Sequence, residues 1–389
     1  MRQIADDFLY SQVAERLETM VERGVWKIGD KLPSVRALSD EQGISMSTAF
    51  KAYAALESKG IIEARPKSGY YVRFKPHRQA EQPRTPRYTP PPIGLSVDEM
   101  IDAVYANLSE AGVVQLSIAA PGPELLPAAK LNKCLLEALR SSPTSCLHYE
   151  NVQGNERLRQ QLARQAFNWG GKSAAAEIIV TQGCMEALAF CLRSVTRPGD
   201  TVAIERPTYF GIFGLLKNLG LRALVLYCSS MSKSLAPGYR VVWCLPGRFF
   251  KKVLRQKLTH CITSPTPTQD AIARFCETGR FDLHLRHLRK ALYTQCLRYW
   301  QAIAEYFPEE TRVSQPQGGY VLWLELPENV DAFHLYHRAR QHQINIAPGQ
   351  IFSTDGRFSH HLRLGFGAPY SAEIEQSLKT LGRLVKQLA

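Results

Sequence analysis

Residues 228–240 read Cys-Ser-Ser-Met-Ser-Lys-Ser-Leu-Ala-Pro-Gly-Tyr-Arg, one lysine among hydroxyls with an arginine at the end. The amine of Lys233 could add to an aldehyde, while Ser230, Ser232 and Arg240 could hold a phosphate beside it. Two other stretches supply what such a site still lacks. Gly183, Cys184 and Met185 follow the apolar run IIVTQ and open a helical pattern, so their backbone amides make a phosphate site. Tyr209, in ERPTYFG, could stack on a ring. Lysine, phosphate clamp and aromatic face are together the needs of pyridoxal 5'-phosphate, which also requires a carboxylate to keep its ring nitrogen protonated.

A second set of residues points to another chemistry. In SVRALSDEQGISMSTAFKAYAALES, two short helical patterns meet at Gly43, and a strand-turn-strand pattern, IIEARPKSGYYV, comes next. This order is a winged helix-turn-helix, whose third helix enters the major groove of DNA. Ser47, Thr48 and Lys51 would face base edges, and Arg36, Arg65 and Lys67 the phosphates. The formal net charge of +13 and a sequence pI near 9.3 suit a polyanionic partner, here double-stranded DNA.

These two sets need separate scaffolds, and the chain of 389 residues is long enough for two or three domains. Residues 74–96 are rich in proline and arginine and read as an extended spacer. In front of it, residues 1–73 form the winged helix. Behind it, residues 97–280 hold short apolar strands (IIVTQG, TVAIERP and YRVVWCLP) alternating with helices, the pattern of a mostly parallel sheet covered on both faces. Residues 281–389 open with a long Arg- and Leu-rich helix, followed by the strands VLWLELP and HLRLGFG of a smaller α+β subdomain. The fold class is therefore α/β with a winged helix in front.

Other function classes are excluded. No cationic leader precedes an apolar run, and no stretch of ~18 uninterrupted apolar residues occurs, so a cytoplasmic protein without membrane attachment is expected. Nine scattered cysteines with no Cys-x-x-Cys pair form neither a disulfide framework nor a zinc knuckle. The pairs His284/His287 and His334/His337 lack an acidic or cysteine ligand nearby and read as helix surfaces, so no metal is expected.

The front segment, from LPSVR through T-x-x-x-A-Y-x-x-L-x-x-x-G-x-I, closely resembles the GntR-type winged helix. That resemblance implies DNA contacts at Arg36 and Thr48 and the wing turn at Gly69. Met46 stands where the family often has a basic residue. From about residue 97 onward the chain resembles fold-type I aminotransferases, and the linked arrangement is similar to MocR-type regulators of the GntR superfamily. The resemblance makes Lys233 the imine lysine, brings Tyr149 to the phosphate of a partner subunit's cofactor, and gives Arg363 a substrate or effector carboxylate. It further implies a head-to-tail homodimer and an effector that is an amino acid or pyridoxal phosphate itself.

One departure bears on activity. Only 24 positions separate Tyr209 from Lys233, and the sequence contains no Asn-Pro and no Asp-x-Tyr. The family's ring-hydroxyl ligands and its ring-nitrogen aspartate therefore have no counterpart. A βαβ unit takes about 30 residues, so at least two parallel strands cannot fit, which makes the large domain internally shortened near residue 227. Without an acid at the ring nitrogen the electron sink weakens, whereas holding the cofactor depends on it far less. The expectation is a DNA-binding regulator with an impaired aminotransferase-like module. The alternative is an active pyridoxal phosphate-dependent aminotransferase.

Overall fold

The computed structural model describes residues 2–23, 25–26, 30–65, 69–72, 81–84, 97–106, 110–168, 173–202, 204–205, 207–219, 227–353 and 357–389. The front domain comprises α1 (Arg2–Glu22), α2 (Val35–Gln42), α3 (Met46–Ser58), β1 (Ile62–Arg65) and β2 (Gly69–Val72). Serines start its two short helices: Ser34 Oγ accepts from the amide of Ala37, and Ser45 Oγ from that of Thr48, both at 3.1 Å. Each bond satisfies one amide that the first helical turn leaves open. Gly43, at φ 62, ends α2 in the left-handed conformation that frees the chain to turn into α3. Leu38, Ala49, Ala52, Tyr53 and Leu56 then bury the inner faces of α2 and α3 against Val13, Leu17 and Val21 of α1.

α4 (Val97–Ala106) and β3 (Val114–Gln115) open the expected large domain, but Val104 and Leu116 join the core of the C-terminal part and β3 pairs in parallel with Ile344–Asn345, so this opening stretch packs with the small subdomain. The large domain then runs through α5 (Ala128–Ser141), α6 (Glu156–Asn168), β4 (Ile179–Thr181), α7 (Cys184–Val195), α8 (Gly211–Leu219), β5 (Tyr227–Ser230), β6 (Val242–Leu245), α9 (Phe250–Cys261) and α10 (Thr266–Glu277). Its sheet has the order β4-β6-β5, with β6 antiparallel to both neighbours. This corrects the expectation of a mostly parallel sheet. The stretch joining β5 to β6 is too short for a crossover helix, so β6 returns antiparallel, and only β4 and β5 keep a common direction. TVAIERP, expected as a strand, carries no strand assignment in its described residues. Successive residues of the sheet still feed two cores: Ile179, Val242 and Cys244 pack with α7 and α9, and Val180 and Trp243 with α5, α6 and α10.

From α11 (Arg280–Tyr306) the chain enters the small subdomain: β7 (Arg312–Val313), β8 (Val321–Glu325), α12 (Ala332–Arg340), β9 (Ile344–Asn345), β10 (Ala347–Pro348), β11 (His361–Gly365) and α13 (Ala372–Leu388). Its sheet order is β10-β11-β8-β7. The expected spacer also differs where it is described. The amide of Val313 donates to the carbonyl of Glu81 at 2.8 Å, Arg312 pairs with both Glu81 and Glu325, and the amide of Arg84 donates to Glu325 at 2.6 Å. Residues 81–84 are thus tied to the edge of β7 by charge-assisted bonds. The rest of the spacer lies outside the described residues.

Two glycines let the large and small parts meet closely. A Cβ on Gly365 would strike the carbonyl of Ile118, and one on Gly367 that of Ala120. Gly365 donates to Leu116 O at 2.7 Å, and Gly122 donates to Gly367 O at 2.8 Å. Residues 116–122 are thereby fixed along the end of β11, two residues beyond Arg363.

Candidate functional site

Lys233 lies in the turn that leaves β5, so the strand left next to the shortened region is the one that presents the amine. Its Nζ donates to the carbonyl of Ala119 at 2.7 Å. Although the side chain is exposed, partial desolvation of the ammonium lowers its pKa, and the guanidiniums of Arg363 and Arg240 lower it further. The neutral amine, the form that attacks an aldehyde, therefore persists to lower pH than in a free lysine. The adjacent carbonyl of Ser234 accepts from His284 Nε2 on α11 at 2.7 Å. Burial holds that imidazole below its ordinary pKa, which favours the neutral ring.

The phosphate side is assembled at the start of α7. Arg240, at φ 54, follows the turn at Pro237–Tyr239 and lays its guanidinium over Gly183, where a Cβ would collide with Nη2. Cys184 is exposed and Met185 half-buried at the first helical positions, so their backbone amides, rather than their side chains, suit an anion. Ser230 Oγ accepts from the amide of Ser232 at 2.9 Å. The hydroxyl of Ser232 is buried without a hydrogen-bond partner. An orphaned hydroxyl, a guanidinium and a helix start that a Cβ would block fit a phosphate ester.

Arg363, on β11, closes the other side. One Nη donates to the carbonyl of Ser117, and the guanidinium lies 4.8 Å over the ring of Phe352. Its Nε is buried without a partner. Burial lowers its pKa to about 10, against the pull of Tyr105 and Tyr209. Tyr209 is 49% exposed and tilted against Phe210 at 4.6 Å, and burial, then the neighbouring Tyr209, raise the pKa of Tyr105. Lys233 therefore lies within electrostatic reach of both Arg240 and Arg363. Tyr149 is 81% exposed.

On α3, Ser47 and Lys51 are exposed, and Lys51 Nζ lies 5.8 Å over the ring of Tyr10. Arg36 is exposed on α2. Thr48, expected on the groove face, is instead 2% exposed, with its hydroxyl 2.7 Å from Ser45 Oγ. It belongs to the cap of α3 because its position on the helix turns inward with Ala49 and Ala52. Gly69, at φ 111, opens β2 in the wing, and the backbone of Arg65 pairs with it. Lys67 lies outside the described residues.

The gntR family of bacterial regulatory proteins matches residues 9–72. The uncharacterized HTH-type transcriptional regulator YdcR of Escherichia coli K12 is 30% identical over 465 aligned positions, covering 97% of this chain and 99% of that one. The chain belongs to the gntR family of transcriptional regulators. An alignment of 465 positions on a chain of 389 residues means that YdcR carries stretches without counterpart in this regulator. The remainder of the regulator has the fold of fold-type I aminotransferases, which makes the architecture MocR-type. The α-aminoadipate aminotransferase LysN of Thermus thermophilus superposes with a TM-score of 0.66 at 20% identity, covering 76% of this chain and 99% of that one. An archaeal alanine:glyoxylate aminotransferase superposes with a TM-score of 0.69 at 20% identity, covering 76% and 96%.

Sequence reading missed Tyr105, Phe352 and the carbonyls of Ser117 and Ala119, and it took His284 for a solvated helix surface, whereas the ring is half-buried and bonded to Ser234 O. Carbonyls leave no side-chain signature. SIAAPGPE, however, sets a Pro-Gly turn directly after an apolar run, which marks a place where backbone comes close to other groups.

Proposed function

We propose that this regulator binds double-stranded DNA through Arg36, Ser47, Lys51 and the wing of its front domain, as a cytoplasmic homodimer. In this reading the cleft around Lys233 senses a small carboxylate-bearing effector by way of pyridoxal 5'-phosphate. The observation that carries it is the placing of Lys233 within electrostatic reach of Arg240 and Arg363, with Ser232 Oγ and Arg363 Nε buried and unpartnered. Three cations and two idle donors are suited to a ligand that brings a phosphate and a carboxylate. Bound there, the cofactor would supply an electrophilic carbon for amines.

The residues divide the work. Arg240, Ser230, Ser232 and the amides after Gly183 would hold the phosphate, and Lys233, beside Ala119 O, would offer its amine to the aldehyde. Arg363 would receive a carboxylate through its free Nε, with Tyr209 and Tyr105 lining the entrance. No acid stands in the sequence where the family keeps its ring-nitrogen partner, so holding the ligand is favoured over turnover. Leu147, at 76% exposure, and Tyr149 form an uncovered apolar rim suited to a second subunit.

The test is an absorption spectrum of the purified protein with added pyridoxal phosphate, before and after borohydride reduction, with the labelled peptide mapped. A visible band that reduction fixes to Lys233, and that Lys233→Ala abolishes, is the expected result. Label elsewhere, or none, would refute the cofactor assignment. Conversion of the band to the pyridoxamine form on adding an amino acid would favour the aminotransferase alternative.

A further inference from the structure

Two large apolar side chains stand in solvent on the reading face of α3. Met46 is 52% exposed and Phe50 56%. They are four residues apart, so they stand one above the other on one helix face. Ser47 and Lys51 share that exposed stripe, whereas Thr48, Ala49, Ala52 and Tyr53 face the core. Both lie in the first two turns, the part of a recognition helix that approaches base edges. Core packing does not account for either side chain, and phosphates offer neither an apolar contact. In the major groove the apolar group on a base edge is the 5-methyl of thymine.

We propose that Met46 and Phe50 read thymine methyl groups in each operator half-site, an assignment that rests on the DNA-binding reading above. Phenylalanine presents a stiff, flat surface to a methyl, and the unbranched thioether of methionine fits itself to the neighbouring step. With no arginine at either position, these two side chains cannot make the forked contact to guanine. Lys51, beside Phe50, adds a point charge but no apolar surface. Thymine at one or two fixed positions would then carry the sequence preference of this helix.

The experiment separates this assignment from the reading beneath it. Duplexes retained from a random pool at about 150 mM salt are sequenced, and each thymine of the shared core is replaced by deoxyuridine, which keeps the pairing and removes only the methyl. The wild-type protein should lose about fourfold in affinity for each methyl that it covers. Met46→Ala and Phe50→Ala should bind thymine and uracil duplexes equally at the matching position, with an unchanged salt slope. Thermal melts run alongside confirm that these exposed positions leave the fold intact. Equal binding of both duplex series by the wild-type protein overturns the assignment and spares the DNA-binding reading. Retention of no duplex sinks both. Variants that alter sedimentation but keep the uracil penalty show the pair covering a second copy of the chain, which also overturns it.

Discussion

At the scale of single residues, His361 has the largest consequence outside the cleft. It is fully buried, with its ring 5.6 Å from that of Trp323 and 5.2 Å from that of Phe358. Burial first, then the neighbouring His360, pushes its pKa down to about 3, against a weak upward pull from the backbone of Arg84. An unfolded histidine titrates near 6.5. Between those values the unfolded chain binds a proton that the folded chain refuses, so this contribution to stability is complete above pH ~6.5 and declines as the pH falls through it. His361→Phe should remove that decline. Urea midpoints at pH 7 and pH 5 should show the wild-type protein losing about 2 kcal/mol more than the variant, at ~1.4 kcal/mol per pH unit. Equal losses would mean that the imidazole reaches solvent. The sequence could not mark this residue, because HLRLGFG reads as a strand whichever face is inward. It did mark Lys233 and Arg240, since charged groups in a short motif have few structural reasons to cluster, whereas Arg363 came only with the resemblance to aminotransferases.

At the scale of elements, local chemistry was legible wherever a cap or a repeat period decides the outcome. Ser34, Gly43 and Ser45 delimit α2 and α3 as their types require, and the alternation in IIEARPKSGYYV gives the β1–β2 pairing. The sheet was not legible in the same way, because strand direction depends on partners remote in sequence. YRVVWCLP announces β6 by composition, but only the short connection from β5 shows that it must run antiparallel. The start of α7 offers a direct test of the proposed phosphate site. Gly183 is extended rather than left-handed, so alanine can adopt its backbone, yet the new Cβ would displace the Arg240 guanidinium. Gly183→Ala should therefore melt within ~1 kcal/mol of the wild-type protein while losing at least about tenfold in pyridoxal phosphate affinity, read by fluorescence titration. Unchanged affinity would place the phosphate away from this helix.

At the scale of the whole molecule, one helix touches both the front domain and the proposed cofactor site. The 27 residues of α11 span about 40 Å. Near its start His284 holds the carbonyl of Ser234, next to the lysine, and Leu288, Leu292 and Tyr299 seat the helix in the core of the small subdomain. Midway, Lys290 pairs with Glu57 of α3 at 2.9 Å, and Leu297 fills the space that a Cβ on Gly60 would need. Between α3 and α11 lies a cavity of about 610 Å³ lined by Glu57, Lys290, Tyr293 and Phe366. A surface ion pair of this kind contributes about 0–1 kcal/mol to stability, so its removal should barely alter melting. Its value as a link is a separate quantity, because a ligand that moves the lysine turn shifts DNA affinity only if some contact senses the move. Lys290→Ala should leave both pyridoxal phosphate trapping and cofactor-free DNA binding near wild type, while shrinking the change in DNA affinity that the cofactor causes. The measurement is DNA binding with and without pyridoxal phosphate for the wild type, Lys290→Ala, Glu57→Ala and the double variant. If the pair carries the signal, the double variant should lose no more of the cofactor effect than either single one. Losses that add would show that the two side chains act independently, and that α11 supports the front domain without informing it.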